Sequence, residues 1–143
     1  MKRRAQREQA FLLVFEKSFD DCDSKPKPRM SYFGNGETHE FTERVFTGVK
    51  EHEEEINKTI NESIVGWDKD RLSRIVICIL RIAVYEMFFE ESVPISVSIN
   101  EAVEIAKKYG TDKSSSFVNG VLGIIAVRLE SGNHKKLNKR KLG

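Results

Sequence analysis

The sequence predicts an all-α fold, and three observations carry that prediction. Phe11, Phe15 and Phe19 recur at i, i+4 and i+8, and so do Ile56, Ile60 and Ile64, the spacing of a single helix face. No stretch alternates apolar and polar residues as a half-buried strand does. Helix-breaking residues gather in a few places, chiefly Lys25-Pro26-Lys27-Pro28 and Gly34-Asn35-Gly36, and leave long uninterrupted segments between them.

The first helix is expected from about Arg3 to Phe19, burying the phenylalanine stripe with Leu12 beside it. Asp20 to Gly36 reads as a loop, because its prolines and glycines punctuate any helical pattern. Thr38 to His52 resumes helical spacing through Phe41, Val45, Phe46 and Val49. The isoleucine triplet describes the next helix, which Gly66 closes. Asp68 is a plausible cap for a long helix from about Lys69 to Glu90. Its run Ile75 to Leu80 is apolar on most sides, so this helix belongs at the centre of the fold. Pro94 ends it. Ser98-Ile99-Asn100-Glu101 has the form of a capping box opening a further helix, and Gly110 after Lys107 and Lys108 is a suitable stop. Phe117, Val121, Leu122, Ile125 and Leu129 define the last helix.

Composition narrows the function. The chain has 143 residues, 39% hydrophobic and 32% charged, which suits one soluble globular domain. The apolar run Ile75 to Leu80 is far below the ~20 residues of a membrane span. Ala10 to Phe15 is too short for an export signal and no small-residue cleavage site follows, so the cytoplasm is the expected compartment. Cys22 and Cys78 cannot build a disulfide framework, and Cys78 reads as a core thiol. The net charge of +2 conceals an asymmetry. Lys2, Arg3, Arg4 and Arg7 crowd the start, and Lys135, Lys136, Lys139, Arg140 and Lys141 crowd the end. The body between them keeps all 22 acids and is therefore acidic. Local contacts with a polyanion follow more naturally from this than general stickiness. For the C-terminal run, simple solubility is an equal reading.

No constellation for catalysis emerges. His39, His52 and His134 are scattered, and neither cysteine has a partner at metal-ligand spacing. Gly34-Asn35-Gly36 lacks the strand and lysine of a phosphate loop. Glu51, Glu53, Glu54 and Glu55 read as a solvated helix face rather than an acid pair. No enzyme activity, metal or cofactor is expected. Binding residues are better represented. Arg3, Arg4 and Arg7 would project from one side near the first turn, where forked guanidinium groups suit phosphates. Arg71, Arg74, Cys78, Arg81 and Tyr85, spaced 3, 4, 3 and 4 apart, would form one stripe on the central helix. That stripe either pairs with the acids of the body or supplies phosphate contacts and base stacking to single-stranded RNA.

These residues carry a family resemblance. Trp67 with Arg71-Leu72, then Ile79-Leu80-Arg81-Ile82-Ala83-Val84-Tyr85-Glu86, then Val93-Pro94-Ile95 through Asn100-Glu101-Ala102 to Lys107, and finally Phe117-Val118-Asn119-Gly120-Val121-Leu122, resemble the NusB family of bacterial transcription antitermination factors. Arg7-x-x-Ala10 and Val14-Phe15 match its arginine-rich first helix. The resemblance spans about residues 3–127 and is weak from Asp20 to Thr38. It implies two small packed helical bundles, about six to seven helices in all, with a NusB-like domain over 1–130 and a basic, flexible tail over 131–143. It implies binding of boxA-type single-stranded leader RNA together with the ribosomal protein NusE. Within the RNA polymerase antitermination complex, that pair supports read-through of ribosomal RNA operons. By position, it places RNA contacts at Arg3, Arg4, Arg7, Arg74, Arg81, Ser114 and Phe117. Lys113, standing where relatives can carry an acid, should add to them. It places protein-partner contacts at Phe15, and Tyr85 on the central stripe is grouped with it.

Two points stay open at this level. Val76 and Ile77 stand where the family usually has an acid followed by a base, so the partner surface differs in detail. Phe117 suits base stacking and, through its spacing with Val121 and Leu122, suits the core equally. Two other functions compete: an accessory module of RNA-modifying or ribosome-assembly machinery, as NusB-like domains precede some RNA cytosine methyltransferases, and a protein-binding adaptor without intrinsic RNA specificity.

Overall fold

The computed structural model describes residues 2–19, 39–66 and 72–131. The prolyl loop with Cys22, the Trp67–Arg71 segment with the expected Asp68 cap, and the basic tail beyond Ser131 lie outside the described residues. Within them the chain forms six helices: α1 (Arg3–Lys17), α2 (Glu40–Glu51), α3 (Glu53–Ser63), α4 (Arg74–Phe89), α5 (Ile95–Tyr109) and α6 (Asp112–Ser131).

The central position follows from composition. In α4, Val76, Cys78, Ile79, Leu80, Ile82, Ala83, Val84, Met87 and Phe88 are all buried, so no single apolar face exists and neighbours must surround it. It packs against each of the other five helices. On one side α1 pairs with α2, and on the other α5 pairs with α6. The two groups share one continuous core running from Phe11 and Phe41 through Leu80 to Leu122 and Leu129.

Several boundaries differ from expectation for local reasons. The start of α4 is set by Ser73, whose hydroxyl accepts from the Val76 amide at 3.2 Å, so the described helix begins at Arg74 rather than Lys69. The expected capping box in α5 does not form. Pro94 already precedes the first turn, and the Ser98 amide bonds to the Pro94 carbonyl at 3.2 Å. Ser98 and Glu101 are therefore inside the helix, free to reach other elements. The break between α2 and α3 falls at His52, which leaves helical geometry with φ −111° and ψ 25° and stacks on Phe89 at 4.1 Å. Beyond it Glu53, Glu54 and Glu55 occupy the first turn of α3, where carboxylates are favoured by the helix dipole. The acid run is thus a helix start. One glycine is required by packing: a Cβ on Gly48 would lie 2.1 Å from the Tyr85 ring.

Candidate nucleic-acid interface

The arginines of α1 differ sharply in environment. Arg3 is exposed and its guanidinium lies 4.1 Å from the centroid of the Phe41 ring on α2. Arg4 is also exposed, yet its Nε and Nη2 donate to Glu101 Oε1 and Oε2 at 3.0 and 2.7 Å. Glu101 holds the Arg4 pKa above the usual arginine range, first through this hydrogen bond and then through its charge. Arg7 turns inward. It is only 3% exposed and forms a second fork, with Nε and Nη2 donating to Glu86 at 2.7 and 2.8 Å. Its Nη1 lies 3.5 Å from Glu101, and Ser98 Oγ donates to Glu86 at 3.4 Å. Burial pushes the Glu86 carboxyl up, against the opposing hydrogen bonds and charge of Arg7.

Arg7 therefore leaves the expected RNA set. Its side chain lies between α1, α4 and α5, held by Glu86 and Glu101, rather than in solvent.

The central stripe is also divided. Tyr85 is 5% exposed, and its hydroxyl donates to Glu90 at 2.9 Å. Burial and the neighbouring Glu90 push its phenol pKa up. It is not available to a partner protein, and the buried Cys78 sits between it and Arg74. Glu90 also takes a fork from Arg44 at 2.8 and 3.0 Å. Burial pushes its carboxyl up, but the hydrogen bonds from Arg44 and Tyr85 outweigh this and hold it below the usual range.

Arg74 and Arg81 remain at the surface beside the C-terminal end of α1. Arg74 Nη1 donates to the Ser18 carbonyl at 2.7 Å and its guanidinium lies 4.4 Å from the Phe19 centroid. Arg81 Nε donates to Asn57 Oδ1 at 3.1 Å. With Lys17 and Lys50 they line a cleft of about 440 Å³ against the single acid Glu53. Sequence reasoning did not single out Lys17 or Lys50. Each stands in the last turn of its helix, where a cation balances the dipole, and only folding brings them beside Arg74. Phe15 is half-buried between Phe11 and Phe19, at centroid distances of 6.0 and 5.0 Å.

The start of α6 supplies one cation. Lys113 is exposed. Ser114 is engaged in capping its own helix with Thr111: the Ser114 amide donates to Thr111 Oγ1 at 3.1 Å and the Thr111 amide to Ser114 Oγ at 3.2 Å. Phe117 is 1% exposed and belongs to the core, so it cannot stack on a base. Its spacing with Val121 and Leu122 marked the inward face of α6.

The two ends of α1, fifteen residues long and so about 20 Å apart, each carry a cationic group: Arg3 and Arg4 at one, and Lys17 with Arg74 and the half-buried Arg81 of α4 at the other. No helix among the described residues is long and apolar enough to cross a membrane.

Such a domain, five helices around a buried central one with arginines held at its surface, is of the kind found in the helical transcription factors it resembles in sequence and structure. The chain belongs to the NusB family, which it matches over residues 4–126. It is 43% identical over 131 residues to the transcription antitermination protein NusB of Bacillus licheniformis, covering 91% of this chain and 100% of that one. It is similar to the crystal form of T. maritima NusB, with TM-score 0.75 and 32% identity over 96% of this chain and 98% of that chain. It also resembles a chain from the crystal structure of the antitermination factors NusB and NusE in complex with double-stranded RNA. There the TM-score is 0.66 and the identity 25%, over 86% of this chain and 94% of that one.

Proposed function

We propose that the protein is a cytoplasmic, non-catalytic transcription antitermination factor that binds boxA-type leader RNA together with the ribosomal protein NusE. The observation that carries this reading is the pair Arg3 and Arg4, exposed at one helix end and each held by a separate anchor, Phe41 and Glu101. Restrained guanidinium groups lose little freedom on meeting a phosphate and offer several donors to it. Family membership supports the reading, and so does the solved NusB–NusE complex that contains RNA. Arg74, Arg81 and Lys113 extend the cationic surface, and Phe15 offers an aromatic edge to a protein partner.

A closed cycle of titrations tests it. A boxA-like single strand is measured with and without NusE, and NusE with and without the RNA. Linkage requires both couplings to be equal, typically about 5–150-fold. Equal RNA affinity with and without NusE removes cooperative recognition. A scrambled RNA that binds as well as the boxA-like strand leaves only phosphate attraction, and then the adaptor without intrinsic specificity is the correct function.

A further inference from the structure

We infer that Glu101 is a positioning residue for nucleic-acid binding: an acid beside the RNA face whose removal weakens binding to a polyanion. This rests on the RNA-binding function proposed above and names a residue outside it.

The geometry is specific. Glu101 stands on α5 with its side chain only 10% exposed, while Arg4 on α1 is 66% exposed. The carboxylate is thus largely sequestered from a ligand at the surface, and the cation it grips is presented. A guanidinium has five N–H donors, and the fork to Glu101 uses one on Nε and one on Nη2. Three remain for a phosphate. The fork fixes the plane of the group, so Arg4 meets a ligand with its rotamer already chosen. Glu101 is itself held from below, because Arg7 reaches it at 3.5 Å while forked onto Glu86. The chain of groups Arg4, Glu101, Arg7, Glu86 ties the start of α1 to α5 and α4 together. Its two arginines and two glutamates balance, which leaves little net repulsion toward a polyanion.

Simple electrostatics predicts the opposite sign. Deleting a carboxylate beside a phosphate site should tighten binding. Glu104 supplies the control. It lies one turn along α5, acts on Arg4 through space, and pairs with Lys107 at 3.6 Å.

The experiment titrates a labelled boxA-like single strand against the full chain and the variants Glu101→Gln, Glu104→Gln, Arg4→Ala, Arg4→Lys and the double variant R4A/E101Q, at several salt concentrations. Melting temperature is recorded for each. Glu101→Gln should weaken binding about three- to ten-fold, the scale of one restrained side chain, with little change in salt slope because the Arg4 charge stays. Glu104→Gln should bind as wild type or tighter. In the Arg4→Ala background, Glu101→Gln should cost nothing more. Arg4→Lys keeps the charge, cannot form the fork, and leaves the Arg7–Glu86 pair untouched. It should weaken binding by more than Glu101→Gln does, since it also gives up guanidinium donors to the phosphate. If Glu101→Gln unfolds, Glu101→Asp, which keeps the charge but falls short of Arg4, decides the matter. Binding by Glu101→Gln or Arg4→Lys at or above wild-type strength overturns the inference, as does an equal cost of Glu101→Gln without Arg4. If Arg4→Ala weakens binding but neither of those variants does, the RNA-binding function stands and only the positioning role falls. A wild-type chain that fails to bind RNA overturns both.

Discussion

Arg7 and Arg3 share a residue type and stand one turn apart on α1, yet their substitution should differ greatly in cost. Replacing Arg7 by alanine leaves Glu86 as a buried charge without its fork, and breaking a buried pair in this way costs about 3–5 kcal/mol,. Replacing exposed Arg3 should cost within about 0.5 kcal/mol. Urea unfolding of the two variants checks this, and a mild Arg7→Ala would show that water reaches Glu86. The carboxyls also set a pH dependence. Glu90 is held below the usual range as described, and so is Glu8, where burial is outweighed by hydrogen bonds from Lys108 and Tyr109. A depressed folded pKa adds stability that is present above the unfolded value, about 4.3, and is lost as pH falls through the folded values. Glu86, raised by burial, works in the other direction and favours the folded chain on acidification. Between pH 5 and pH 2.5, Glu90→Gln should therefore lose less unfolding free energy than the wild type does,. An unchanged slope in that variant would remove Glu90 from the account.

At the scale of elements, two helical glycines separate propensity from packing. Alanine is favoured over glycine inside a helix by about 1 kcal/mol. At Gly123 of α6, a Cβ would meet nothing within 4 Å, so Gly123→Ala should stabilise by about 0.5–1 kcal/mol. At Gly48 of α2, the same Cβ would fall 2.1 Å from the ring of Tyr85. That ring is fixed by its bond to Glu90 and its stack on Phe89 at 5.5 Å. Gly48→Ala should therefore destabilise by about 1–3 kcal/mol despite its propensity gain. Thermal melts of the two variants should move in opposite directions, and a shared sign would mean that α2 slides to make room. Helix starts were less legible than helix faces. Ser73 caps α4 through a hydroxyl that many serines could offer, and Ser98 resembled a cap until Pro94 took the earlier position. Local motifs compete for the same role, and the chain's packing chooses among them.

Across the whole molecule, α4 joins the α1–α2 side to the α5–α6 side through one continuous core. Both sides should consequently melt together. Leu80 is fully buried in that shared helix, and Leu80→Ala should cost about 2–5 kcal/mol without splitting the transition. Calorimetric and van't Hoff enthalpies that agree in wild type and variant check this, whereas two resolved transitions would mean that each side folds alone. The RNA and partner couplings belong to the same scale, since Arg3 and Arg4 at one end of α1 and Arg74 at the other are fixed by a single rigid core.

Periodicity alone determined the all-helical class, the central place of α4 and the inward faces of α3 and α6, because burial of apolar surface leaves its 3.6-residue spacing in the chain. On α1 it chose the wrong stripe: Phe19 is exposed and Leu12 and Phe15 are half-buried, while Ala10, Leu13 and Val14 join Phe11 in facing the core. The motifs from Arg71-Leu72 to Phe117-Val118-Asn119 carried the family. What the sequence could not determine was the fate of each polar group. Arg3, Arg4 and Arg7 look alike in a string of letters, as do Tyr85 and Phe15. Only tertiary structure sent Arg7 to Glu86 and Tyr85 to Glu90, and drew Lys17 and Lys50 to Arg74. The partners of these groups stand tens of residues away along the chain, and a charge or ring is a binding group or a structural one according to which distant neighbour reaches it first.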